Sequence, residues 1–71
     1  MERNIRLDWQ ELVDEAVIRR KQQRLTQKKL AILAGVSKPM LNAFEQGKTN
    51  ITLENAIKIL RLLGLATIGH F

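Results

Sequence analysis

The stretch that most constrains this chain is LAILAGVSKPMLNAFEQG, residues 30–47. Apolar residues recur at helical spacing on both sides of Gly35, and Pro39 follows four residues later. One continuous helix would have to carry Pro39 in its interior, where the ring clashes with the preceding turn and a hydrogen bond is lost. Two short helices avoid that. Gly35 accepts the left-handed conformation that commonly ends a helix. Ser37 is a good N-cap, so Pro39 falls in the first turn of the next helix, where its missing N–H breaks nothing. The stretch therefore predicts helix, turn, helix.

The same punctuation marks the remaining helices. Asp8 and Glu11 have capping-box spacing, with Asp in place of Ser or Thr. Trp9, Leu12, Val13, Ala16 and Val17 then share a face of a helix running to about Gln23. Its acidic residues come first and its basic residues last, matching the helix dipole. Thr26 caps a second helix over residues 27–34, with Leu30, Ala31 and Ala34 on one face. The third covers residues 38–46, with Leu41 and Phe44 inward and Gly47 closing it. Thr52 caps the fourth, whose expected core stripe is Leu53, Ala56, Ile57, Leu60 and Leu63, ending at Gly64. Ile59 and Leu62 form a second apolar stripe that one small core does not easily absorb. The tail LATIGHF has no helical period, and Thr67 and Ile68 favour a strand. The expected fold is an all-α domain over residues 1–71: four helices, a helix-turn-helix at 27–46, an N-terminal arm at 1–7 and a short β-strand tail at 66–71.

A chain of 71 residues makes one domain and buries a limited fraction of its surface. It has no cysteine and one histidine, so neither a disulfide nor a His/Cys metal cluster staples it. Oligomerisation is therefore expected to contribute to stability. No apolar run approaches membrane-spanning length, and MERNIRLDWQ lacks the apolar core of a signal peptide, so a cytoplasmic location is expected. No nucleophile–base or phosphate-loop motif is present, which argues against an enzyme, and no cofactor or metal is expected at the lone His70.

Charge is unevenly spread. Residues 1–18 hold Arg3 and Arg6 against Glu2, Asp8, Glu11, Asp14 and Glu15, a balance of −3. Residues 19–48 hold eight Lys and Arg against Glu45, a balance of +7. The positive charge surrounds the helix-turn-helix and suits a polyanion; a solvated face is the bland alternative.

A helix-turn-helix needs close approach of its two helices and places the start of the second in the major groove. Ala31 is small where the helices approach, and Leu30, Ala34, Val36, Leu41 and Phe44 are apolar where they lock together. The run LTQKKLAILAGVSKPMLNAFEQGKTNITLENAIKILRLLGL resembles the Xre-type helix-turn-helix family of the lambda and 434 repressors, over roughly residues 12–65. Within it, FE after Asn42, TL before the fourth helix, KIL and the short apolar tail look most like HipB-type antitoxins.

The resemblance implies roles. Gln27, with Lys28 beside it, matches the phosphate-contacting start of the second helix. Ser37, Lys38, Met40 and Asn42 match recognition-helix positions nearest DNA, and Lys38 is suited to guanine. Gln46, Lys48 and Thr49 match a loop that touches phosphate. Arg20 and Glu45 match a buried ion pair joining the first and third helices. Pro39 and Ala43 stand where phage repressors can carry base-reading amides, so readout should rest on Lys38, Met40 and Asn42 or on DNA shape. Ile32 and Leu33 are apolar where the family is usually polar; they are expected to pack partly against the first helix, the other reading being an exposed patch for a partner.

These readings predict a homodimer on a palindromic operator in double-stranded DNA, acting as a repressor. The dimer should use Ile59, Leu62, Leu65, Thr67 and Ile68, the last two pairing as a small sheet. The HipB resemblance further implies an antitoxin that represses its own operon and binds a HipA-like kinase toxin. The competing readings are a phage or host regulator without a toxin, and a protein-interaction module on the same scaffold.

Overall fold

The computed structural model describes residues 8–66. The expected arm at 1–7 and the strand expected at Thr67 and Ile68 lie outside the described residues. Four helices follow in order: α1 (Trp9–Gln22), α2 (Gln27–Ala34), α3 (Lys38–Glu45) and α4 (Leu53–Leu62). There is no strand among the described residues. None of these helices is long and apolar enough to cross a membrane.

Every helix starts the same way. The side chains of Asp8, Thr26, Ser37 and Thr52 each accept from the backbone N–H three residues on, at 3.0–3.2 Å. Each of these bonds satisfies one orphan donor of the first turn. Every helix also ends the same way. A left-handed residue stands at Arg24, Gly35, Gly47 and Gly64. The residue after it donates back five positions: Leu25 to Arg20, Val36 to Ala31, Lys48 to Ala43 and Leu65 to Leu60. This is the Schellman closure, in which a left-handed residue lets otherwise orphaned carbonyls find donors. Three of the four positions are glycine; the first is an arginine, which the sequence pattern did not reveal.

The core consists of Val13, Ala16, Leu30, Ala31, Leu41, Phe44, Ile59, Leu60 and Leu63, with Trp9, Leu12, Leu25 and Val36 among the side chains packed around it. Phe44 is fully buried and meets the Trp9 ring edge-on, centroids 5.6 Å apart. Burying such a side chain stabilises the fold by about 2–3 kcal/mol. α1 packs on α3, and α2 packs on both α3 and α4.

The orientation of α4 differs from expectation. Its buried face is Ala56, Ile59, Leu60 and Leu63, at i, i+3, i+4 and i+7. Leu53, expected in the core, is 76% exposed, and Ile57 is only partly buried. Ile59, expected at a dimer surface, has no exposed area and belongs to the core. The helix carries apolar residues around more than half its circumference, and contact with α2 selects the Ile59 side. Ile32 and Leu33 do not tuck against α1; they are 66% and 53% exposed.

Candidate nucleic-acid interface

A single carboxylate ties the helix-turn-helix to the rest of the domain. Arg20, near the end of α1, donates from Nε to Glu45 Oε2 at 2.6 Å and from Nη2 to Glu45 Oε1 at 3.2 Å. Its Nη1 donates to the Leu25 carbonyl at 2.8 Å. Gln27 Nε2 donates to Glu45 Oε1 at 2.8 Å. The Arg20 and Glu45 side chains are 12% and 9% exposed, so the pair is largely withdrawn from water. The fork geometry satisfies both carboxylate oxygens, which a buried charge requires. The ion pair implied by the resemblance is therefore formed, and it gathers α1, the α1–α2 turn, the start of α2 and the end of α3 around one point.

That network changes what Gln27 presents. Its side chain is partly buried with its amide held by Glu45, not directed freely outward. What α2 offers at this end is its N-terminus: with Thr26 capping Lys29, the preceding backbone N–H groups remain available to an anion. Lys28 and Lys29 are exposed beside them.

α3 opens at Lys38, with Ser37 Oγ accepting from Met40 N and Pro39 in the first turn. Lys38 and Asn42 are exposed one turn apart, and Gln46 is exposed a further turn on. Met40 is partly buried, so less of it is available to a base edge than of Lys38 or Asn42. Lys48 and Thr49 are exposed in the loop after α3. Among the described residues, none of Lys28, Lys29, Lys38 and Lys48 pairs with a carboxylate; the two ion pairs are Arg19–Glu15 and Arg20–Glu45. The cationic groups at the start of α2, the start of α3 and the following loop are thus left for an external anion.

Two anchors escaped the motif reading. Trp9 Nε1 donates to the Gly47 carbonyl at 3.2 Å, fixing the turn that carries Lys48 to the start of α1. Arg19 Nη1 lies 3.3 Å from both the Leu63 and Gly64 carbonyls, closing the end of α4. Lys29 was visible only as part of the charge excess. No local pattern signals the first two, because the partners are 38 and more residues apart.

A helix-turn-helix family model matches residues 18–68. The chain belongs to the Xre or lambda-repressor-like helix-turn-helix family. It is also 42% identical over 53 residues to an uncharacterized HTH-type transcriptional regulator of Haemophilus influenzae, an alignment covering 75% of this chain and 54% of that relative. The chain thus spans about half the length of the curated relative it matches. Family members are DNA-binding transcription regulators and are generally not enzymes.

Proposed function

We propose that this protein represses transcription by binding a two-fold symmetric DNA operator as a homodimer. The observation that carries this reading is the set of unpaired, exposed cations spread over α2, α3 and the loop after α3, on a helix-turn-helix whose geometry Glu45 fixes. Lys28, Lys29, Lys48, Thr49, the Gln27 backbone and Gln46 hold the phosphate backbone; Lys38, Asn42 and the exposed part of Met40 face base edges in the major groove. Ser37 caps α3 and contributes through the placement of that helix. Pairing through Leu65 and the residues from Thr67 onward, Ile68 included, sets two recognition helices about one DNA turn apart.

Selection of bound sites from random DNA at physiological salt tests this. A palindrome with half-sites roughly 10 base pairs apart is expected. An unenriched pool, or a single unpaired half-site, overturns the repressor-dimer reading. Lys38→Ala should cost about 1–3 kcal/mol of binding and relax the preference at one base pair. A pure protein-interaction role is separated by salt, because binding that neutralises phosphates weakens steeply as salt rises.

The antitoxin role rests on the likeness of FE after Asn42, the TL start of α4 and its KIL run to HipB-type proteins. It requires a kinase-like protein encoded by the adjacent gene that co-purifies with this chain. Absence of both leaves a regulator without a toxin.

A further inference from the structure

A groove of about 280 Å³ runs between α2 and α4, lined by Leu33, Ala34, Lys58, Arg61 and Leu62. Leu33 is 53% and Leu62 36% exposed. Neither Lys58 nor Arg61 pairs with a described carboxylate. Two exposed apolar side chains, Leu33 and Leu62, with two unpaired cations form a surface that suits an acidic helix carrying an apolar anchor.

The chain itself carries such a helix face. Glu11, Asp14, Glu15 and Ile18 lie at i, i+3, i+4 and i+7 of α1, all exposed, with Ile18 48% exposed. Glu15 pairs with Arg19 through one oxygen and Asp14 accepts from Gln10 through one, so each exposed carboxylate keeps a second oxygen for a further partner.

Resting on the DNA-binding reading above, we propose that the acidic face of α1 docks in the α2–α4 groove of a second copy bound to the same DNA. Two-fold pairing of the groove with itself is disfavoured, because it sets Lys58 and Arg61 against their own copies. α1 packs on α3, whereas the groove belongs to α2 and α4, so the two surfaces are different patches of one molecule. A contact between unlike patches is head-to-tail and propagates instead of closing. The contact is small, so it is weak between free molecules. Neighbours on one duplex are held at high local concentration, and there a weak contact becomes cooperative occupancy of adjacent sites.

The test compares a short duplex that holds one binding unit with a long random-sequence duplex, at low salt, by fluorescence anisotropy and sedimentation. The wild type should fill the long duplex cooperatively, with neighbours favouring each other on the order of tenfold. Lys58→Glu with Arg61→Glu should remove that cooperativity. Adding Glu11→Lys with Asp14→Lys restores the wild-type net charge and should restore cooperativity by exchanging the two sides of the contact. Circular dichroism melting checks that these surface variants fold. Non-cooperative wild-type binding overturns the proposal, as does cooperativity that survives reversal of the groove charges or fails to return in the exchanged variant. The last two results leave the groove to an acidic segment of another protein. Failure to bind the short duplex removes the DNA-binding reading and this one with it; binding without cooperativity removes this one alone.

Discussion

The turn before α2 and the turn after it close with the same backbone hydrogen bonds, yet they are held by different means. After α2, Gly35 takes φ 78°, and a Cβ built there would meet nothing within 4 Å. The turn has local determinants: a residue free to be left-handed, then the Ser37 side-chain cap. Before α2, Arg24 takes φ 59° without glycine's freedom. A left-handed conformation costs a residue with a Cβ about 1–2 kcal/mol. The neighbouring network offsets that cost, since Arg20 grips the Leu25 carbonyl and Glu45 grips Arg20 and Gln27. One turn is set by local chemistry and the other by contacts across the fold. The locally set turn is the one that leads into α3.

The comparison is broken most severely at Glu45. Glu45→Ala leaves the Arg20 guanidinium largely buried without its partner and frees the first turn. A loss of about 3 kcal/mol in urea unfolding is expected, because an uncompensated buried charge remains. A loss below 1 kcal/mol would mean that the α1–α2 turn does not depend on the network.

Gly35→Ala tests the other turn. With open space around the Cβ position, the effect is purely conformational, and a loss of about 1–2 kcal/mol is expected. Equal stability of the two proteins would show that the backbone there relaxes out of the left-handed region. Ser37→Ala removes the second local element and should cost about 1 kcal/mol, with fraying of α3 visible as faster amide exchange at Met40.

Arg24→Gly sharpens the contrast from the opposite side. It relieves left-handed strain where a carbon side chain now stands, and should stabilise by about 0.5 kcal/mol once the added freedom of the unfolded chain is counted. The gain should be smaller in the Glu45→Ala background, where the freed turn relaxes out of the left-handed region and less strain remains to relieve. An identical gain in both backgrounds would show the two devices to be independent.

Much of the fold was legible in the sequence because its boundaries are local events. Asp8, Thr26, Ser37 and Thr52 sit where a side-chain oxygen reaches an N–H three residues on, and Gly35, Gly47 and Gly64 sit where the chain must turn left-handed. Leu30, Leu41 and Phe44 were readable as core from their spacing. For the candidate site, the charge excess of residues 19–48 and the family pattern marked Lys28, Lys38, Asn42 and Lys48, all of which lie exposed. The engagement of the Gln27 amide by Glu45 and the partial burial of Met40 were not readable. Both depend on side chains brought in from other helices.

The sequence by itself determined where each helix starts and where α2, α3 and α4 stop, since capping and left-handed closure at a glycine involve atoms within five residues of one another. It also determined that the positive charge gathers around the helix-turn-helix. Only the tertiary structure decided which side of α4 faces inward. With Leu53, Ile57, Ile59, Leu60, Leu62 and Leu63 on one short helix, periodicity admits more than one buried face. The surface of α2 selects Ile59, which leaves Leu53 in solvent and Leu62 at a groove with Leu33. The reason is general to small helical domains: local hydrogen bonds fix an element's ends, whereas its rotation is fixed by the shape of what it packs against.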